Sequence, residues 1–230
     1  MKRFWSDVSV APCDGGFKVQ LDGRDVKTQG GAVQIVPTGT LAEALAAEWR
    51  AQGEDIDAAL FVQRDLADYA IDIVRADRAA AIATLLGFAQ TDTLCYRADP
   101  GSALALRQDE IWEPLLAALE TRLGIAFVRV AGVVPQPQPD PTLHTLESHL
   151  ATFDDFTLAA LQTLASLAAS LTVGLAALEH RADSAALFDA ANMEEDWQAE
   201  LWGADAEAKA VRALRAKSFA DAAEFVALLD

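Results

Sequence analysis

The sequence predicts an α+β protein with a small N-terminal antiparallel β domain followed by a larger, mainly α-helical domain. Residues 17–21 alternate apolar and polar side chains, which is the period of a strand. After Pro37 the apolar residues recur at the three- and four-residue spacing of helices. We place the β-rich domain and one following helix in residues 1–60, and the helical domain in residues 61–230.

The predicted sheet is built around a hairpin. Phe17, Val19 and Leu21 form one face of a strand, and Asp22-Gly23 is a favoured pair for a two-residue type I′ turn. Residues 24–28 then return as the partner strand. Two further short strands are predicted at residues 4–10 and 33–36.

Helices are predicted from residue 40 onward. Thr40 with Glu43 fits a capping box, and Gly53 ends this first helix. Pro114 is expected to kink or restart a later helix, which Gly124 ends. The helices predicted in this part of the chain lie at about 40–52, 66–73, 79–88 and 104–123.

A β-branched segment and a proline-rich segment follow. Residues 125–134 are predicted as one strand, a candidate addition to the first sheet. Residues 135–141 (PQPQPDP) are predicted as an extended linker. Beyond them we predict helices at about 142–150, 155–178 with a break near Ser170, 184–201, 205–216 and 219–229. Ser184 and Ser218 are candidate N-caps, and Gly203 is a candidate helix end.

Charge excludes several kinds of partner. The 230 residues carry a formal net charge of −17, which disfavours nucleic acid and anionic lipid. Residues 156–178 have no charged side chain, but their Thr, Ser and Gln content predicts buried helices and no membrane insertion. The net charge also favours a monomer.

The two cysteines, Cys13 and Cys95, are expected to be free thiols because no secretory signal is apparent. This predicts a bacterial cytoplasmic protein, or a mitochondrial matrix protein if the chain is a processed organellar form.

No catalytic signature is found. Phosphate-binding loops and nucleophile elbows are missing, and the cysteines do not form a metal-binding pair. His144 and His149 are five residues apart and would face different sides of a helix. We therefore predict no enzyme, no metal and no cofactor.

The strongest candidate site is the acidic stretch 192–207 (NMEEDWQAELWGADAE). Residues 141–230 hold five bases and fifteen acids, a net charge of −10, so this third of the chain dominates electrostatic attraction of a partner. Of Trp197 and Trp202, one is expected to pack inward and the other to lie near the surface. The predicted partner-binding residues are Glu195, Glu200, Trp202, Asp205 and Glu207. The alternative is that Glu195 is structural and pairs with Arg181, Arg212 or Arg215.

Several motifs, in order, resemble the ATP-synthase assembly chaperones that bind the alpha subunit of the catalytic head. They are residues 21–28 (LDGRDVKT), 41–49 (LAEALAAEW), 70–72 (AID), 91–97 (TDTLCYR), 111–115 (IWEPL), 197–203 (WQAELWG) and 205–207 (DAE). Gln29, where the family usually has proline, and Ala204, where an acid is common, depart from the pattern.

This resemblance implies a chaperone that binds the unassembled alpha subunit, shields its subunit interface and releases it on assembly with beta. Two alternatives remain at this point. One is a small-molecule enzyme that uses carboxylates of the C-terminal helices, and the other is a scaffold for a different oligomer.

Overall fold

A computed structural model describes residues 2–132, 134, 136–179, 182–203 and 205–230. The start of the predicted linker at Pro135, the proposed ion-pair partner Arg181 and the sequence departure at Ala204 lie outside the described residues.

The α+β prediction is confirmed. Three strands form an antiparallel sheet in the order β1-β2-β3, and most of the remaining chain is helical. The strands are β1 (Val8–Cys13), β2 (Gly16–Leu21), β3 (Arg24–Asp25), β4 (Tyr96–Arg97) and β5 (Val130–Ala131). The α-helices are α1 (Gly39–Ala51), α2 (Val62–Tyr69), α3 (Arg78–Gln90), α4 (Ala103–Leu123), α5 (Asp140–Leu150), α6 (Asp155–Ala168), α7 (Leu171–Ala177), α8 (Ser184–Ala191), α9 (Met193–Trp202) and α10 (Ala206–Ala227).

The chain packs as two compact units. One comprises residues 1–80, 154–160 and 224–230, and the other comprises residues 81–153 and 161–223. Short segments from the C-terminal half therefore complete the first unit. The division after residue 60 that the sequence suggests stays a prediction.

In the first unit, α1 packs on the sheet formed by β1 and β2. Val19, Leu41 and Leu45 are buried in this interface. Asp22 and Gly23 have φ values of 47° and 76°, as the predicted type I′ turn requires, so the turn is confirmed. The returning strand is shorter than the predicted 24–28, since β3 comprises only Arg24–Asp25.

The predicted capping box at Thr40 is wrong. Helix α1 begins one residue earlier, and its N-cap is Thr38, whose Oγ1 accepts a hydrogen bond from Leu41 N at 3.1 Å. The Thr38 hydroxyl also donates to the Leu228 carbonyl at 2.5 Å. This second bond joins residues 190 positions apart, so the local sequence does not predict it.

The predicted strand at residues 125–134 is mostly absent. Among the described residues of this range only β5 forms, and it pairs in parallel with β4 instead of joining the first sheet. In place of a strand-to-strand ladder, side chains form the hydrogen bonds of the neighbouring backbone N–H and C=O groups. Val128 N donates to Gln138 Oε1 at 2.8 Å, and Gln138 Nε2 donates to Val128 O at 3.2 Å. Gln138, within the predicted linker, is thus buried and bonded.

The central helices agree with the sequence in position but differ in detail. Helix α4 runs through Pro114 without restarting, and Gly124 ends it with a φ of 65°. The predicted break near Ser170 is confirmed, since Ser170 caps α7 after α6 has ended. Among the described residues, no helix is both long and apolar enough to cross a bilayer.

Two helix boundaries near the C-terminus are corrections. The predicted helices 205–216 and 219–229 are one helix, α10, so Ser218 is not an N-cap. Phe219, the residue after Ser218, lies in the interior of α10 and packs against Phe188 with ring centroids 5.7 Å apart. The predicted helix 184–201 is instead divided at Asn192 into α8 and α9, and Asp183 rather than Ser184 caps α8.

Candidate partner-binding site

The acidic stretch is held in place by a buried asparagine. Asn192, between α8 and α9, donates from its side chain to the Phe188 carbonyl at 2.8 Å. Its Oδ1 accepts from Arg215 of α10 at 2.9 Å. One side chain therefore joins α8 to α10 at the residue where α9 begins.

A groove of about 400 Å³ lies between α9 and α10. Three of the five predicted binding residues line it: Glu195, Trp202 and Asp205. Lys209 and Arg212 of α10 complete its polar edge. The groove therefore combines an aromatic ring with charges of both signs, which suits a protein surface better than a small ionic substrate.

Trp202 is the most exposed large apolar residue in this part of the chain, with 79% of its surface accessible. Leu201 beside it is 57% exposed. Gly203, with a φ of 81°, ends α9 directly after them, as predicted.

Trp197 is half-buried, and the Arg107 guanidinium lies 5.4 Å from its ring centroid. The expected division between an inward and an outward tryptophan is confirmed.

Glu195 pairs with Arg215, one of the three partners considered from the sequence, at 3.2 Å. Nearly half of the Glu195 side chain is exposed, so the ion pair is a surface pair worth at most about 1 kcal/mol. Glu195 therefore both helps to join α9 to α10 and remains available on the groove.

Glu200 lies on another side of α9. Its two carboxylate oxygens accept hydrogen bonds from Arg107 of α4 at 2.8 Å and 3.0 Å. These bonds lower the pKa of the Glu200 carboxyl. The structure thus separates Glu200 from the groove that contains Glu195, although both were predicted for one site.

The last two predicted residues flank the start of α10. Asp205 caps this helix, since its Oδ1 accepts from Ala208 N at 2.7 Å. Glu207 is exposed in the first turn, and it does not line the groove. Both carboxylates lie near the N-terminal, positive end of the helix dipole, a favourable position for negative charge.

The ion pairs that connect Arg212 of α10 to α8 and α9 were not predicted from the sequence. Arg212 of α10 contacts Asp196 of α9 at 2.5 Å and Asp189 of α8 at 2.9 Å. The contributing residues are 16 and 23 positions apart, so no local spacing reveals the contact. Arg212 and Arg215 are three residues apart and share one face of a helix. This spacing could have indicated from the sequence that the face pairs with an acidic segment.

No arrangement for metal chemistry is found in the described part of the chain, where no group of three or more His, Cys, Asp or Glu residues is placed to hold an ion. Cys95 is buried, and burial raises the pKa of its thiol to about 12. This thiol is therefore protonated at neutral pH and is a poor nucleophile.

Known proteins match both the sequence and the fold. The profile of the ATP12 chaperone protein family matches residues 2–120. The crystal structure of Atp12 from Paracoccus denitrificans superimposes with a TM-score of 0.94 at 37% identity, covering 100% of this chain and 98% of that one. A crystal structure of a candidate chaperone from Agrobacterium tumefaciens gives 0.94 at 34% identity, covering 100% and 86%. The mitochondrial protein atp12 of Schizosaccharomyces pombe is 26% identical over 214 residues, which are 88% of this chain and 74% of that protein.

The class of protein is therefore a chaperone. Within that class, the chain belongs to the ATP12 chaperone family, as its motifs predicted, and this family acts in ATP synthase assembly.

Proposed function

We propose that this protein binds the unassembled alpha subunit of the ATP synthase catalytic head, shields its subunit interface and releases it on assembly with beta. The observation that carries the proposal is the groove between α9 and α10, where the exposed Trp202 lies among carboxylates in a chain of the ATP12 family. The family resemblance supplies the alpha subunit as the partner.

The chemistry of the groove suits a client that must be bound and then released. A lone subunit exposes apolar surface that aggregates unless it is covered. The ring of Trp202 offers apolar contact, while the surrounding acids attract a basic surface and increase the association rate. Because these charges are exposed, they add little to the lifetime of the complex, which allows release.

The proposal includes three further properties. The protein is a monomer, it acts in the bacterial cytoplasm or the mitochondrial matrix, and it is not an enzyme. A screen with generic hydrolase substrates would contradict the last statement if any substrate were turned over at a rate that Glu195→Gln or Asp205→Asn abolished.

The direct test uses isolated alpha subunit. The subunit is diluted from denaturant with and without the full-length protein, and light scattering is recorded, followed by size-exclusion chromatography. We expect suppressed scattering and co-elution. Unchanged scattering without co-elution would refute the proposal, whereas capture of a different oligomer subunit from native cells would favour the scaffold alternative.

Trp202→Ala is expected to weaken alpha-subunit binding about thirty-fold, because an exposed tryptophan at the centre of an interface contributes about 2 kcal/mol. Thermal stability should not change, since the side chain is 79% exposed. Phe4→Ala is the control, because Phe4 is a similarly exposed aromatic residue, at 68%, that does not line the groove. Titration calorimetry distinguishes the two variants, and equal affinities would contradict the role of Trp202.

Glu195→Lys is expected to slow association with the alpha subunit several-fold at low salt while the helical circular dichroism signal is retained. The loss of the exposed pair with Arg215 costs stability of at most about 1 kcal/mol. Asp205→Lys should behave similarly, with about 1 kcal/mol of additional loss from the helix cap. Glu147→Lys makes the same change in net charge on the exposed surface of α5 and should leave association unchanged. If Glu195→Lys unfolds the protein, the carboxylate is structural.

A further inference from the structure

A second groove lies on the other side of the ion pair between Arg212 and Asp196. It has a volume of about 680 Å³ and is lined by residues of α4, α8, α9 and α10. Arg212 and Asp196 line this groove and also the groove that contains Trp202. The two grooves are therefore adjacent, separated by one ion pair, and a single partner segment that crosses this pair can contact both.

The second groove has an apolar floor. Ile111 of α4 and Met193 of α9 contribute the larger side chains. Ala186 and Ala190 lie one turn apart on α8 and also face the groove. Because both are alanines, a partner side chain can approach the backbone of α8 closely.

The rim of this groove carries excess negative charge. Arg212 is shared by two carboxylates, Asp189 at 2.9 Å and Asp196 at 2.5 Å. The charge of Arg107, also on the rim, is matched by the bidentate contact with Glu200. The Asp189 side chain is 63% exposed, so one carboxylate remains accessible to a second cation from outside.

We propose that this groove binds a segment of the client that presents a lysine or arginine next to an apolar side chain. The apolar side chain enters between Ile111 and Ala186, and the cation pairs with Asp189. This inference rests on the proposed function, because it assigns a second contact to the same client that Trp202 contacts. Two observations point to this occupant: the two grooves are adjacent, and Asp189 on the rim is 63% exposed although it shares Arg212 with Asp196.

Ala186→Trp fills the groove and provides the first test. Ala186 is exposed, so the larger side chain does not enter the core. We expect its affinity for isolated alpha subunit to fall at least about ten-fold, as expected when a central pocket of an interface is blocked. Ala185→Trp, at the adjacent exposed position that does not line the groove, should keep the wild-type affinity.

Asp189→Lys provides the second test and reverses the accessible charge. We expect affinity to fall about ten-fold and to become less sensitive to salt, since an attractive pair is lost. Arg212 keeps its contact with Asp196, so the fold should be retained in circular dichroism. If Ala186→Trp does not fold, Asp189→Lys alone tests whether the second groove binds the client.

The outcomes separate this inference from the proposed function. If wild-type protein fails to bind alpha, both fail. If wild-type protein binds and both groove variants bind equally well, only the second groove is refuted. Self-association of the wild-type protein that Ala186→Trp abolishes would instead assign the groove to a second copy of the chain and overturn the inference.

Discussion

Asp92→Ala is expected to reduce the free energy of unfolding by about 3–4 kcal/mol, because it leaves two buried backbone donors without an acceptor. Asp92 is fully buried. One carboxylate oxygen accepts from Leu94 N at 3.1 Å, and the other accepts from Thr172 N at 2.9 Å. The Ser170 side chain also bonds to the carboxylate. A single residue thus joins the turn that follows α3 to the start of α7.

The prediction is measured by urea unfolding followed by circular dichroism. Burial raises the pKa of Asp92, whereas the hydrogen bonds it accepts lower it. Asp92→Asn keeps the size and one acceptor oxygen, so it should cost roughly half as much as the alanine variant. Asp99→Ala, at an exposed position nearby, should change stability by no more than about 0.5 kcal/mol. A loss below about 1 kcal/mol for Asp92→Ala would show that other acceptors replace the carboxylate.

Trp112→Ala is expected to have an effect of similar or larger size, about 3–5 kcal/mol, which is typical when a buried tryptophan is truncated. Trp112 of α4 is completely buried, and its indole N–H donates to the Ala190 carbonyl at 2.7 Å. The Arg97 guanidinium lies 5.7 Å from its ring centroid. The substitution removes a large buried side chain of α4 together with its hydrogen bond to α8.

Trp112→Phe separates the two contributions. It keeps most of the apolar volume and removes the N–H group, so we expect a loss of about 1–2 kcal/mol from the unpaired Ala190 carbonyl and the smaller ring. Because Ala190 lies on the floor of the second groove, Trp112→Ala should also weaken client binding at temperatures where the protein is still folded. Equal stability of the two variants would show that the hydrogen bond, and not the packing, dominates.

These two residues also explain part of the family resemblance in physical terms. Asp92 occurs in the motif at residues 91–97, and Trp112 occurs in the motif at residues 111–115. From the sequence they were markers of a family, with no role assigned. The structure shows that each connects segments of the second unit that are far apart in the chain.

Features that depend on neighbouring residues were predictable. The hairpin turn at Asp22 and Gly23 follows from backbone preferences alone, and so do the helix ends at Gly124 and Gly203. The α+β class follows from the change in apolar period after Pro37. Two of the predictions that failed involve groups outside the local sequence. Thr38, which caps α1 in place of Thr40, also bonds to the Leu228 carbonyl, and side chains bond the backbone of residues 125–134, which form little strand.

The sequence by itself determined the family, the acidic C-terminal third and the stretch 192–207 as a candidate site. Only the tertiary structure decided how that stretch is used. Glu195 and Glu200 are five residues apart, so they are rotated by about 140° around the helix axis. One faces the groove beside α10, and the other pairs with Arg107 on α4. Charge and composition are properties of the chain, but which acid faces a partner depends on the helices that pack around it.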